Sequence, residues 1–487
     1  MQKEIIKGLK PELLWEAFYD LSQVPRPSKK EGKVIKFIEE FAVKNQLKHK
    51  KDEVGNIVIS VPASSGKEET PVVVLQSHLD MVCEMNKGTK HDFEKDPLTL
   101  KSDGEWVSAT GTTLGADNGI GVAASLAAAL DKEMVHGPLE LLFTIDEETG
   151  MTGVNNLKGD FISGKYLLNM DSEEDGTFYI GCSGGQDSTG VFEIPYSKKI
   201  DEELKPYELM ITGLKGGHSG LEIHLGKANA IKLLARLLDK LKSEKYRIAN
   251  ISGGSKRNAI PREAEALILI DPKAENNFVK LIKEFHEQIV KEFKSSETGI
   301  IINFDKKKVK VEKVFKKRFA STLINTLLAL PHGIVAMSND IAGLVETSTN
   351  LAIIETDGEI LKISTSQRSS IDSAKDYIAL SVRSVFSLAG GEITGSDGYT
   401  GWTPNLSSKL LKLSKDVYAK MFKSEPEVKA IHAGLECGLL GAKYPGLDMI
   451  SFGPTIQGAH SPDERVNIHA VEKFYMLLKG ILNELAK

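Results

Sequence analysis

At 487 residues the chain is too long for one ordinary compact domain, so two or three packed units are expected. Its 41% apolar and 26% charged residues exclude collagen-like and disordered classes. A net charge of -5 from 62 basic and 67 acidic residues argues against a nucleic-acid partner, and the lack of a membrane-length apolar run argues against a membrane one.

The first residues, MQKEIIKGLKPELLWEAFYDL, are charged and amphipathic, unlike a secretion signal. The cysteines Cys83, Cys182 and Cys437 are far apart, with no C-x-x-C pair. A cytoplasmic protein is expected, and any metal in it should be held by nitrogen and oxygen rather than thiolate.

A helix is predicted over Lys29 to Asn45, followed by a buried strand from Pro71 to Leu75 that stops at the polar SHLD. The glycine-rich GTTLGADNGIG leads into an apolar helix over Gly119 to Asp131. Strands at Leu139 to Ile145, Tyr166 to Met170 and Leu447 to Phe452 run into DEETG, DSEEDG and GPTIQGAHSPDE, and a last helix covers Val471 to Ala486. Strands alternating with helices indicate an α/β domain. In open sheets of this kind ligands gather beyond the carboxyl ends of the strands, where all four polar clusters fall.

Residues 189–398 lack such clusters and read as an inserted α+β domain between segments 1–188 and 399–487, which form the first domain. Helices are predicted at Lys227 to Leu241, Lys273 to Phe293 and Ala374 to Leu388, among strands near Glu208 to Thr212, Ala264 to Ile270, Leu351 to Glu355 and Ile360 to Ser364. Each half has elements enough for a small α+β unit, so a diverged duplication is one reading of the insert. In Lys306 to Arg318, lysines alternate with valines, which predicts a solvated edge strand guarded against aggregation.

His78 and Asp80 lie two apart past a buried strand, a spacing that suits a metal-bound imidazole and the carboxylate that orients it. Asp117 reads either as a helix cap or as a ligand, while phosphate binding is disfavoured by the missing Walker lysine and dinucleotide spacing. Adjacent Glu147 and Glu148 would repel unless a cation lay between or beside them; one could bind metal while the other takes a proton from water. Asp171 and His460 complete a set of imidazole nitrogens and carboxylate oxygens suited to Zn2+, with Mn2+ or Co2+ as substitutes.

The order HLD, GADNG, DEETG, MDSEEDG and GAHSPDE resembles the aminoacylase and carboxypeptidase-like family of dizinc metallopeptidases. SHLDMVCEMN, KGGHSG, RNAIPREA, HAGLECG and GPTIQGAHSPDERV are similar to its aminoacyl-histidine (Xaa-His) dipeptidase branch. The resemblance implies a phosphorylase/hydrolase-like zinc-exopeptidase domain, with a central mixed sheet flanked by helices and an inserted α+β lid. It implies two Zn2+ per chain: His78 and Asp171 on one, Glu148 and His460 on the other, Asp117 bridging, and a cis peptide after Asp117. Asp80 would orient His78 and Glu147 would act as general base. His218 would donate to the oxyanion, Asn258 and Arg368 would hold the carboxylate of a short peptide, and Gly434 would offer a backbone contact.

The expected activity is dipeptide hydrolysis, including Xaa-His types such as β-alanyl-histidine, by a monomer or homodimer. An aminoacylase or tripeptidase of the same family, and a catalytically silent binding protein, are the competing readings.

Overall fold

The computed structural model describes residues 2–396 and 398–487. The chain divides into two compact units. The first holds the residues up to Gly181 together with Trp402–Ala430 and Leu435–Lys487, and the second holds Cys182–Gly401 and Ile431–Gly434.

The first unit is built on an eight-stranded mixed sheet. Its order is Lys48–Lys51, Ile57–Val61, Leu139–Thr144, Val73–His78, Tyr166–Asn169, Asp448–Ser451, Thr177–Cys182 and Glu427–Ile431. The four strands from Leu139–Thr144 to Asp448–Ser451 pair in parallel. Strands covered on both faces read as continuous apolar runs, and Val73, Val74 and Leu75 are accordingly buried side by side. The helix Ala116–Ala128 packs on Val73–His78 and on Glu12–Ser22, while Lys409–Phe422 packs on Ile468–Leu485. Asp117 and Asn118 carry non-helical dihedrals within the first turn of Ala116–Ala128, and the peptide between them is cis.

A small sheet of Ile456–Gln457, Arg465–Asn467, Trp106–Ala109 and Leu100–Ser102 completes this unit. Ile456–Gln457 and Arg465–Asn467 pair antiparallel and fix the loop that carries His460.

The second unit is one nine-stranded sheet backed by helices over a continuous core that includes Tyr207, Leu234, Phe278, Leu327 and Phe386. Two β-α-β-β-α-β units lie within it. The inner one runs Lys205–Thr212, Ala230–Lys240, Tyr246–Gly253, Ala264–Ile270, Glu275–Glu292 and Ile301–Lys306. The outer one begins at Gly184–Glu193 and, after the whole inner unit, resumes with Lys317–Ala329, Val345–Asp357, Ile360–Ser369, Asp372–Leu388 and Glu392–Gly395. In each, the fourth strand lies beside the first, then come the third and the second, all antiparallel. The two second strands meet, pairing Gly253 with Ile354. The two units of like topology are therefore nested rather than in tandem.

The expected edge strand over Lys306 to Arg318 is not formed. Ile301–Lys306 forms the sheet edge, and the lysine-rich stretch leaves it as loop before the short Val314–Phe315. Buried Val314 and Phe315 anchor that stretch, and Lys317 and Arg318 already belong to the next helix.

Candidate active site

The parallel strands end together, and each end delivers an acid or an imidazole. His78 closes Val73–His78 and is buried. Its Nε2 lies 3.1 Å from Asp117 Oδ1 and 3.3 Å from Asp171 Oδ1. The second oxygen of Asp117 lies 3.2 Å from Nε2 of His460, which in turn is 3.1 Å from Glu148 Oε2. Asp117 thus reaches one imidazole with each oxygen, and joins the triad His78, Asp117, Asp171 to the triad Asp117, Glu148, His460. The N-cap position of the helix is Gly115, not Asp117.

Asp80 is fully buried and has two tasks. His78 Nδ1 lies 3.1 Å from its backbone carbonyl and 3.4 Å from its carboxylate. The carboxylate also accepts from Ser28 Oγ at 2.8 Å and from the N–H groups of Glu147 and Glu148 at 3.0 and 3.2 Å. Burial pushes Asp80 up, but His78 and these donors outweigh it and hold the group at about 2. One side chain therefore fixes both the His78 ring and the start of the Glu147–Glu148 turn.

Four carboxylates, Asp117, Glu147, Glu148 and Asp171, crowd two imidazoles. Burial, with the negative charges of Asp171, Glu436 and Glu148, holds Glu147 well above the usual carboxylate range. Burial does the same to Asp171, with Asp117 and Glu148 adding to it. Glu148 Oε1 is sealed from solvent without a hydrogen-bond partner. Converging N and O donors, an orphaned carboxylate oxygen and excess buried negative charge are what divalent cations neutralise. A thiolate is not part of the set: burial lifts the Cys83 thiol to about 11.

Two buried groups at this site escaped the sequence reading. Glu464 accepts from the backbone N–H groups of Leu114, Gly115 and Ala116 at 2.7, 2.8 and 2.7 Å, and from that of Asp117 at 3.3 Å. The amide nest of the glycine-rich loop thus holds the protein's own carboxylate, which removes the phosphate alternative. Arg26 donates to the carbonyls of Leu79 and Asp80, both at 2.9 Å, and to that of Gly115. Behind them, the buried carboxylate of Glu436 accepts from Gln76 and Thr144, both at 2.6 Å. The only sequence signal for Glu464 and Glu436 was their place in GAHSPDERV and HAGLECG.

The second unit carries the other predicted residues. His218 pairs with Ala259 in a short ladder, and the neighbouring Asn258 carbonyl accepts from Ser219 N–H at 2.8 Å. His218 and Asn258 line one cavity of about 770 Å³. His218 Nδ1 accepts from the N–H groups of Gly220 and Leu221 at 3.2 and 3.1 Å, so the ring proton sits on Nε2. Burial and the charge of Arg368 press its pKa down and favour this neutral donor form. Arg368, on Ile360–Ser369, donates from Nη1 to the Tyr399 hydroxyl at 3.2 Å. Gly434 ends the segment 431–434, in which buried His432 bridges Ser348 Oγ at 2.7 Å and Ser183 Oγ at 3.0 Å.

The profile of peptidase family M20/M25/M40 matches residues 74–484, which span this whole constellation. The chain belongs to that family. As an M20 peptidase it is a hydrolase of peptide bonds, in a family whose members bind metal ions. It is 41% identical over 482 residues to the cytosol non-specific dipeptidase of Escherichia coli (strain K12), covering 99% of each chain. The aminoacylhistidine dipeptidase structure from Vibrio alginolyticus matches with a TM-score of 0.91 and 40% identity, over 98% of each chain. Aminopeptidase PepT from Bacillus cereus ATCC 10987 shares the fold at 15% identity and a TM-score of 0.58, over 98% of this chain and 100% of that one. Among the described residues of this M20 peptidase, no helix is long and apolar enough to cross a membrane.

Proposed function

We propose that the chain is a dizinc dipeptidase acting on dipeptides that include Xaa-His types such as β-alanyl-histidine. The observation that carries this reading is Asp117, whose two oxygens face His78 and His460 and link two ligand triads. His78 and Asp171 would hold one Zn2+, Glu148 and His460 the other, and Asp117 both, with Co2+ or Mn2+ as substitutes. Such ions supply Lewis acidity that makes water a nucleophile near neutral pH and polarises the scissile carbonyl.

Glu147 carries no assigned ligand duty and acts as general base. It takes a proton from the attacking water and returns it to the departing amine. Asp80 orients His78 and holds the backbone of Glu147 and Glu148, so the base and its neighbour stay in fixed register. His218 offers its Nε2–H to the developing oxyanion. Arg368 and Asn258 hold the peptide's terminal carboxylate, and Gly434 adds a backbone contact. The names of the Escherichia coli and Vibrio relatives support the dipeptide substrate, and the former supports a cytoplasmic location.

The test is turnover by the metal-loaded protein on β-alanyl-histidine, other dipeptides, tripeptides and N-acyl amino acids. Dipeptides should give the highest kcat/KM. Preference for tripeptides or N-acyl amino acids would replace this reading with a tripeptidase or an aminoacylase, and metal-loaded protein inert on all four would be a binding protein.

A further inference from the structure

Arg368 is a half-buried cation. Among the described residues no carboxylate pairs with it, and its Nε is sealed from solvent without an acceptor. Its charge is felt by its surroundings, since it presses down the pKa values of His218 and His432 beside the burial that dominates both. Asp187, an acid in the same neighbourhood, is engaged elsewhere, with its Oδ2 2.6 Å from Arg257 Nη1.

The guanidinium donates to Tyr399, whose placement is built rather than incidental. Gly185 lies opposite Arg368 in the strand ladder. Tyr399 N–H donates to the Gly185 carbonyl at 2.9 Å, and Gly185 N–H donates to the Tyr399 carbonyl at 3.1 Å. Buried Lys375 donates to that same Tyr399 carbonyl at 2.8 Å. The phenol ring occupies the space a side chain at 185 would need, because a Cβ there would lie 2.7 to 2.8 Å from Cε1, Cζ and the hydroxyl. The hydroxyl accepts from Arg368 Nη1 at 3.2 Å, and among the described residues no acceptor takes its own proton.

We propose that Tyr399 is a substrate-binding residue whose hydroxyl donates to the terminal carboxylate of the peptide beside the Arg368 guanidinium. This inference rests on the dipeptidase reading and adds to it a recognition element for a free carboxylate. A tyrosine paired this way fixes the guanidinium and adds a neutral donor. Selection for a free C-terminus then depends on two side chains that touch each other.

The experiment uses the full metal-loaded chain and compares a free dipeptide with the same dipeptide carrying a C-terminal carboxamide. Tyr399→Phe removes only the hydroxyl, and Gly185→Ala displaces the ring tip while leaving the phenol intact. Each should raise KM for the free dipeptide by about tenfold or more, the worth of a hydrogen bond to a charged group, with kcat and the carboxamide KM little changed. The Kd of the free dipeptide, measured by calorimetry in a Glu147→Gln background, should weaken in parallel. An unchanged KM and Kd in both variants would overturn the inference, and so would an equal loss on both substrates, which marks a purely structural role. Absence of dipeptide turnover by the parent enzyme would count against the dipeptidase reading instead, and the calorimetric comparison would still decide for or against Tyr399. No peptide binding in that background would overturn both.

Discussion

Glu147 and Glu148 are neighbours in sequence with different surroundings. Glu148 faces His460 at 3.1 Å, whereas Glu147 sits among carboxylates and is held well above the usual range. Glu147→Gln keeps the size and removes the base. It should retain bound metal and the melting midpoint but lose about 100- to 10,000-fold in kcat, as measured by steady-state kinetics beside metal analysis. Near-normal turnover would remove Glu147 from the base role. His432 offers a separate test by pH. Burial, aided by the charge of Arg368, holds its folded value at about 3, below the ordinary 6.5. The unfolded chain therefore takes up the proton first as pH falls, so this contribution to stability is complete above pH 6.5 and declines from 6.5 toward 3. Urea midpoints should drop from pH 7.5 to pH 5, and His432→Asn should flatten that slope; an identical slope in the variant would reject the assignment.

The elements that carry the site could be read from the chain because each parallel strand is an apolar run that stops at an acid or a histidine. The apolar run Pro71 to Leu75 stops short of the observed strand Val73–His78, because Gln76 and Ser77 are polar and join a buried polar layer with Glu436. Glu464 and Arg26 were not legible. Their partners are backbone groups, which leave no residue-type signature, and Glu464 reaches them from about 350 positions away. Lys306 to Arg318 misled because alternating Lys and Val suits an edge strand or an exposed loop equally well. The nested repeat was hidden because its outer copy is interrupted after one strand. The seam between the copies gives an element-scale test. Gly254 follows the Gly253–Ile354 pair at φ +69°, and a Cβ there would meet the Ala352 carbonyl. Gly254→Ala should cost about 1–2 kcal/mol from the left-handed backbone alone, with the collision adding to it. Hydrogen exchange should quicken first in Tyr246–Gly253 and Val345–Asp357; unchanged protection there would show that the seam is not tightly packed.

For the whole molecule, a pocket of carboxylates that binds cations only when folded makes stability depend on metal. Chelation should abolish hydrolysis and lower the melting midpoint, and Zn2+ should restore both. At a hundredfold excess over Kd, one site contributes about 2.7 kcal/mol. A midpoint indifferent to chelator and to added Zn2+ would argue against ions held by the native ligand set.

The sheet of the first unit is threaded out of order. Asp448–Ser451, far along the chain from its neighbours, slots between Tyr166–Asn169 and Thr177–Cys182 rather than joining an edge. Its successor loop brings His460 and the Glu464 clamp. The middle of the first unit's sheet is therefore closed by a segment that lies beyond the whole second unit in sequence. The same strand thus fills the sheet and leads into the groups that clasp the loop around Asp117.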